Sequence, residues 1–177
     1  MSADPVPPDP AVYAAVETLR DGGQVLIRSI QPDDRAALLA AIARTSPQSR
    51  FRRFFSVRGQ FTEREIASFV NVDFVKHVAL VALPEGDDVI VGGARYVGDG
   101  AGTAEIAFAV IDDWQGRGLG AALMRHLGVL ARAAGLRALT AEVLPENQPM
   151  LKVLQRSGFP VSLRREPDVV HVTLALT

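Results

Sequence analysis

A glycine-rich stretch at residues 114–123, WQGRGLGAAL, constrains the fold more than any other segment. Gly116, Gly118 and Gly120 occupy every second position directly before an alanine- and leucine-rich run. Glycines at the start of a helix let the backbone approach a bound group closely, and the first N–H groups of a helix lack intrahelical partners. Because the helix dipole adds positive potential there, the stretch predicts a phosphate site.

The segments on either side of this loop define its structural context. TAEIAFAVI precedes it and LRALTAEVL follows the helix, and both are rich in strand-forming residues. The order is therefore strand, glycine loop, helix and strand, which joins two parallel strands by a right-handed crossover.

The remaining periodic segments predict an α+β fold, with a mixed central sheet of about seven strands flanked by helices. One helix begins at Pro32 and ends near Arg44, and a second begins at the capping-box pair Thr62 and Glu65. A last helix is predicted in ENQPMLKVLQRSG. Further strands are predicted in QVLIRSI, HVALVAL, VIVGGARYV, PVSLRR and VVHVTLAL.

The N-terminal segment differs in composition from the rest. MSADPVPPDP is rich in proline and predicts an extended tail, and AVYAAVETLR predicts a short helix that ends at Gly22 and Gly23. Residues 1–23 are thus predicted to be a flexible tail, and residues 24–177 the compact domain.

Composition excludes several classes of function. Lys and Arg total 19 against 20 for Asp and Glu, a balance that argues against a nucleic-acid or membrane surface. With no cysteine and three scattered histidines, we expect neither a thiol nucleophile nor a metal site. The N-terminus lacks the basic and apolar regions of a leader, so a cytoplasmic protein is expected.

Two other interpretations of the glycine loop compete with a coenzyme site. GRGLGA fits the dinucleotide pattern G-x-G-x-x-A, with Glu142 placed to bind a ribose, but DDWQ separates the loop from its strand. Only about 35 residues follow Glu142, too few for further βαβ units. A tight turn without a ligand is the other alternative, and three alternating glycines argue against it.

These motifs resemble a known superfamily. Residues 115–120 resemble the Q/R-x-x-G-x-G/A signature of the GNAT N-acetyltransferases, and ENQPMLKVLQRSGF resembles their Asn-led helix. The resemblance covers residues 24–176 and implies acetyl-CoA as co-substrate, with its pyrophosphate on the loop. The residues implied in binding it are Gln115, Gly116, Arg117, Gly118, Leu119, Gly120, Ala121 and Asn147.

The resemblance also implies a bulge that splays the strand before the loop from its parallel neighbour. Backbone groups of Phe108, Ala109 and Val110 would then be free for the pantetheine arm of the co-substrate, because a bulge interrupts the ladder. The N–H near Val110 would polarise the thioester carbonyl.

Acetylation of a lysine requires a base, since the side-chain amine titrates near about pH 10.4. Glu105 is the candidate, because TAEIAFAVI carries no other charge and the thioester is expected beside it. Glu142 on the neighbouring strand is the second candidate. Asp112 and Asp113 are expected to cap the loop or the helix.

A narrower resemblance is to bacterial protein lysine acetyltransferases of the Pat type, which modify acyl-CoA synthetases. It rests on SRFRRFF at 49–55, on FVNVDFVKHVALVA at 69–82 and on AEIAFAVIDDWQGRGLG at 104–120. In that family the glutamate matching Glu105 is the general base. Many GNAT enzymes carry a tyrosine acid at the position of Leu154, so no general acid is predicted here.

The predicted reaction is direct transfer to a protein lysine, because no cysteine can carry the acetyl group. Two other functions stay open on the same fold: acetylation of a small amine or antibiotic, and acyl-CoA sensing without catalysis. Arg50, Arg52 and Arg53 alternate with phenylalanines and are candidates for lining an acceptor groove.

Overall fold

A mixed sheet with α-helices packed on it organises the computed structural model, which describes residues 5–46 and 62–177. In these two ranges there are eight strands and four α-helices. The strands are β1 Ala14–Thr18, β2 Gln24–Ser29, β3 His77–Pro84, β4 Gly92–Gly98, β5 Thr103–Val110, β6 Ala138–Val143, β7 Val161–Arg165 and β8 Val170–Ala175. The helices are α1 Arg35–Ala43, α2 Glu63–Val70, α3 Leu119–Ala133 and α4 Gln148–Gln155. The SRFRRFF segment lies outside the described residues.

The sheet order is β1-β2-β3-β4-β5-β6-β8-β7. Neighbouring strands are antiparallel, except that β5 and β6 are parallel. The helix α3 makes the crossover between these two strands, as predicted. The predicted α+β layout is therefore confirmed, with one strand more than expected.

Helix α3 carries the largest apolar face of the described helices. Leu119, Leu123, Leu127 and Leu130 are at most 2% exposed and recur at helical spacing. This face packs on β3, β4 and β5. Burial of that face fixes the start of α3 next to the end of β5.

The helix predicted over AVYAAVETLR is wrong. Residues 14–18 form the edge strand β1, in which Val16 pairs with Leu26 and Thr18 with Gln24 of β2. Its alternating exposure has a period of two residues, and the open edge of β2 supplies hydrogen-bond partners that outweigh local helix propensity. The folded sheet thus begins at Ala14, ten residues before the domain boundary predicted at residue 24.

Side chains on β1 and just before it bind α3. The Tyr13 hydroxyl lies 2.5 Å from His126 Nδ1, and His126 Nε2 lies 2.6 Å from Glu17 Oε1. Arg125 also contacts Glu17, at 3.1 Å. Burial alone would raise the pKa of Glu17, but the hydrogen bonds from His126 and Arg125 lower it. This cluster joins the N-terminal hairpin to the helix.

Two helix starts use polar side chains, and one of them is the predicted capping box of Thr62 and Glu65. Thr62 Oγ1 accepts from Glu65 N–H at 3.2 Å, and Glu65 accepts from Thr62 N–H at 2.7 Å. At the start of α1, the carboxylate of Asp34 accepts from Gln31 N–H at 2.7 Å. It also receives two hydrogen bonds from Arg28 at 2.8 Å each. Asp34 is 7% exposed, so this is a largely buried charge pair.

Replacement of Asp34 by Asn should destabilise the fold. Burial alone would raise the pKa of Asp34, but Arg28 and the Gln31 N–H hold it below its usual value. We expect Asp34→Asn to lower the free energy of unfolding by about 1.5–3 kcal/mol at neutral pH. Because the folded pKa is depressed, this stability is present above about pH 4 and is lost as the pH falls through that pKa.

Urea unfolding at pH 7 and at pH 3 would measure the difference between variant and wild type, which should shrink at the lower pH. The matched control is Asp33→Asn, because Asp33 is exposed beside Asp34. Equal losses in both variants would contradict this account of the pair.

Candidate active site

The parallel pairing of β5 and β6 stops partway along both strands. Three residue pairs form it, and the last is Glu105 with Thr140. Strand β5 continues to Val110 and β6 to Val143, so the two strands separate beyond Glu105. A cleft opens in this gap, and backbone groups along its walls have no ladder partner.

Strand alternation decides which backbone groups face the cleft. Ile111 N–H donates to Val91 O at 3.0 Å, and Thr103 O accepts from Asp99 N–H at 2.9 Å. Odd-numbered residues of this strand therefore bond towards β4, and the even-numbered Phe108 and Val110 direct their N–H and C=O groups into the gap.

The backbone of Ala109 is not free for the pantetheine arm, which differs from the expectation drawn from the sequence. Its carbonyl oxygen lies 3.2 Å from the position that a Cβ on Gly92 would take, and Ala109 pairs with Gly93 of β4. Ala109 lines the cleft, but its polar backbone belongs to the ladder with β4. The carbonyl of Val110 is also occupied, because Gln115 Nε2 donates to it at 3.0 Å. The N–H of Val110 is thus the group left for a ligand at this residue.

The glycine loop takes a conformation that glycine permits. Gly116 has φ +77° and Gly118 has φ +89°, both in the left-handed region, and Gly118 is the N-cap of α3. A 3₁₀ turn at Asp112–Trp114 leads into the loop. The chain thereby reverses at the mouth of the cleft and starts α3 with its first N–H groups at that opening.

Asp112 and Asp113 were expected from the sequence to cap the loop or the helix. Their carboxylates instead connect this turn to the end of α1. Asp112 Oδ1 accepts from Ser46 N–H at 3.3 Å, and Asp113 lies 3.3 Å from Arg44. They therefore place the end of α1 beside the cleft.

The cleft has a volume of about 740 Å³, in the usual range for a small-molecule site. It brings together all but one of the residues predicted from the sequence. Those that line it are Glu105, Phe108, Ala109, Val110, Gln115, Gly116, Gly118, Leu119, Gly120, Ala121 and Asn147. Asn147 caps α4, since its Oδ1 accepts from Met150 N–H at 3.4 Å.

Arg117 is the exception. Its Nε lies 2.6 Å from Asp21 Oδ2, and its guanidinium lies 3.8 Å from the ring centre of Trp114. The side chain is absent from the cleft lining, so the positive charge predicted for the loop is paired with a carboxylate of the β1–β2 turn. Trp114 packs against the core beside it and also lines the cleft.

Sequence reasoning missed the cations of the cleft, which are Arg20, Lys152 and Arg156. Lys152 and Arg156 stand four residues apart, a spacing that places both on one face of α4 and could have been recognised. Arg20 carried no such signal, because its segment was predicted to be a short helix in the flexible N-terminal tail. Leu154 is fully buried and forms part of the wall.

Glu105 lies where two cavities meet. It lines the cleft, and it also lines a polar groove of about 350 Å³ shared with Thr140, Glu142 and His171. Its side chain is exposed, and among residues 5–46 and 62–177 no hydrogen bond or ion pair engages its carboxylate. Glu142 Oε1 lies 3.6 Å from His171 Nδ1, a contact that is an ion pair only when the histidine is protonated. Of these two carboxylates, Glu105 is the one with no ion-pair or hydrogen-bond partner among the described residues.

The part of the chain that the structure describes contains no group of three His, Asp or Glu side chains that could hold a metal ion. Nor does it contain a helix of the length and apolarity needed to cross a bilayer.

Comparison with known proteins gives the family. The model of the acetyltransferase (GNAT) family matches residues 41–159. The chain belongs to the GNAT acetyltransferase family. This GNAT protein is 34% identical over 154 residues to acetyltransferase Pat of Mycolicibacterium smegmatis, and the match covers 86% of this chain and 46% of that protein. The chain thus spans about half the length of that relative.

Two further relatives match nearly end to end. An acetyltransferase of Pseudomonas aeruginosa is 35% identical over 163 residues, covering 88% of this chain and 87% of that protein. The GNAT domain of S. lividans PAT superposes with a TM-score of 0.84 at 34% identity, covering 92% of this chain and 96% of that one. The GNAT fold is therefore confirmed, and the family uses acetyl-CoA for N-acyl transfer.

A methyl group at Gly116 should weaken acetyl-CoA binding. Gly116→Ala and Gly86→Ala form a matched pair, because both glycines have φ +77° with open space at the Cβ position, and Gly86 lies in the β3–β4 turn. Each variant should lose about 1–2 kcal/mol of unfolding free energy through backbone strain. Gly116 lines the cleft, so that variant should also raise the Kd for acetyl-CoA about tenfold, the value of one weakened charge-assisted hydrogen bond.

Thermal unfolding and calorimetric titration would measure the two effects separately. An unchanged Kd in Gly116→Ala, or an equal rise in Gly86→Ala, would contradict a role for the loop in binding.

Proposed function

We propose that this GNAT protein is an acetyl-CoA-dependent protein lysine acetyltransferase, with Glu105 as general base and acyl-CoA synthetases as the acceptor class. The observation that carries the proposal is the position of Glu105. Its carboxylate has no partner in the described structure and stands where the β5–β6 ladder ends, between the cleft and the polar groove. The likeness to Pat and to the GNAT domain of S. lividans PAT supports a protein acceptor.

The cleft fits an acyl-CoA in three respects. The N–H groups at the start of α3 suit the pyrophosphate, and Gly116 and Gly118 leave room for its approach. The backbone of Phe108 and the N–H of Val110 suit the amides of the pantetheine arm, as in the addition of a strand to an open edge. Arg20, Lys152 and Arg156 supply positive charge for an anionic ligand.

The chemistry assigned to Glu105 is removal of a proton from the acceptor ammonium. A lysine amine is almost entirely protonated at neutral pH, and only its neutral form attacks a carbonyl carbon. Acetyl-CoA supplies the activated carbonyl when bound. Glu105 would take the proton directly or through one water, and the Val110 N–H would hold the carbonyl oxygen in place.

The departing thiolate needs no phenol in this proposal. Transfer forms the C–N bond of the amide and breaks the C–S bond, which leaves the coenzyme A thiolate. A thiol of this kind has a pKa near about 8.5, so the thiolate is a competent leaving group or takes a proton from water. The buried Leu154 offers no proton at the position of the family's tyrosine.

The polar groove supports an amine acceptor. Glu105 and Glu142 face it from β5 and β6, and so does Thr140, the register partner of Glu105. Two carboxylates lining this groove would attract an ammonium group and guide it to the base. The available carboxylate of Glu105 favours catalysis over acyl-CoA sensing, because acetylation of an amine needs a base and sensing does not.

Substitution of Glu105 tests the base directly. We expect Glu105→Gln to lower kcat by about 100- to 10,000-fold, the usual contribution of a positioned base, with the KM for acetyl-CoA nearly unchanged. Glu142→Gln is the comparison variant, because Glu142 lines both cavities but has His171 as a neighbour at 3.6 Å. A larger loss in Glu142→Gln than in Glu105→Gln would move the assignment to Glu142.

The acceptor class is tested by intact-protein mass spectrometry of a purified acyl-CoA synthetase incubated with acetyl-CoA and this protein. We expect a gain of one acetyl group that maps to one lysine and is lost with Glu105→Gln. If the synthetase is unmodified while free amines consume acetyl-CoA, the function is that of a small-molecule acetyltransferase. If no acceptor reacts, acyl-CoA sensing replaces catalysis as the explanation.

A further inference from the structure

Arg20, in the turn between β1 and β2, lies over the start of α3. A Cβ on Gly118 would stand 3.1 Å from Arg20 Nε and 3.4 Å from its Cγ. The arginine also lines the cleft, although it is about a hundred residues away from the glycine loop in the sequence. In the described residues, no hydrogen bond or ion pair engages its guanidinium. An open guanidinium thus stands beside the N–H groups of a helix start.

Asp21, the residue after Arg20, connects the β1–β2 turn to the glycine loop. The carboxylate of Asp21 accepts from Gly23 N–H at 2.9 Å and from Arg117 Nε at 2.6 Å. Arg117 in turn stacks on Trp114. The Gly23 N–H, followed by the Arg117 guanidinium, lowers the pKa of Asp21, so the carboxylate stays ionised at neutral pH.

Backbone hydrogen bonds and a buried side chain also fix the β1–β2 turn. Leu19 N–H donates to Gly23 O at 2.8 Å, and Gly22 N–H donates to Leu19 O at 3.0 Å. Leu19 is 6% exposed and belongs to the core. Arg20 therefore extends from a backbone fixed on both sides, so less backbone freedom is lost when it binds a ligand.

Arg117 and Arg20 differ in whether a carboxylate compensates their positive charge. The charge of Arg117, which the sequence placed in the loop, is neutralised by Asp21. Arg20 has no such partner and supplies the net positive charge at the N-terminus of α3. Phosphate oxygens accept well from a guanidinium, which can donate two parallel hydrogen bonds, and the helix start adds further N–H donors.

We propose that Arg20 binds a phosphate group of the acyl-CoA, so that the β1–β2 hairpin is part of the co-substrate site. The inference rests on the proposed function, in which an acyl-CoA occupies the cleft. Gly118 then has a second reason to be glycine, since a Cβ there would stand 3.1 Å from Arg20 Nε and push that side chain by a few tenths of an ångström. The Asp21–Arg117 ion pair is a positioning contact that keeps Arg20 above the loop.

The experiment is calorimetric titration of the full chain with coenzyme A and with pantetheine, which lacks phosphate. We expect Arg20→Ala to raise the Kd for coenzyme A about tenfold and to leave the Kd for pantetheine unchanged. Added salt should weaken coenzyme A binding less in Arg20→Ala than in the wild type, because one charge contact is gone. Arg20→Lys should restore part of the loss, since it keeps the charge without the fork of donors.

Arg165→Ala is the matched control. Arg165 is exposed on β7 and lies away from the cleft, so its loss removes one positive charge without touching the site. Neither Kd should change in this variant. Titration with dephospho-coenzyme A separates the two phosphate sources. An Arg20→Ala effect that persists assigns the pyrophosphate, and one that disappears assigns the 3′-phosphate.

A double-mutant cycle tests the positioning contact. Asp21→Asn should weaken coenzyme A binding in the presence of Arg20 and have little effect in the Arg20→Ala background. Equal effects in both backgrounds would overturn the positioning role.

Two outcomes separate this inference from the proposed function. If the wild type binds coenzyme A and Gly116→Ala weakens it, but Arg20→Ala binds as the wild type does, the role of Arg20 is overturned and the proposed function stands. If the wild type binds neither coenzyme A nor acetyl-CoA, both are overturned.

Discussion

The end of the β5–β6 ladder is the constraint on which the site depends. Parallel strands that paired along their whole length would satisfy each other's backbone groups and leave no room between them. Here pairing stops at Glu105 and Thr140, so the backbone of Phe108 and the N–H of Val110 lie open while the rest of the sheet holds both strands in place. The same interruption places the one available carboxylate of β5 at the junction of the cleft and the polar groove.

Helix α3 converts that gap into a binding site. Its buried leucine face fixes the helix on β3, β4 and β5, and its first turn therefore stands at the mouth of the cleft. Because the loop glycines adopt φ values that other residues avoid, the chain can turn from β5 into α3 within a few residues. Packing of the helix on the sheet thus sets the position of the N–H groups at its start.

The arrangement relies on backbone groups more than on side chains. Gln115 and Asn147 are engaged with the backbone, Arg117 is paired with Asp21, and Leu154 closes the wall. Backbone contacts are insensitive to side-chain identity, which is consistent with a fold that many acetyltransferases share at low identity. The side chains that can tune the proposed reaction are then few: Glu105 for the proton and Arg20, Lys152 and Arg156 for charge.

The sequence alone determined the elements with strong local signals, and the tertiary structure decided how they meet. The glycine loop, the capping box at Thr62 and the period of α3 follow from backbone conformation and short-range hydrogen bonds, so their residues predicted them. The strand β1 was mistaken for a helix because AVYAAVETLR has local helix propensity, which the open edge of β2 outweighs. Whether Ala109 or its neighbours face the cleft depends on strand register. Which of Arg20 and Arg117 is left without a counter-ion depends on Asp21, a residue 96 positions from Arg117 that only the folded chain brings within reach.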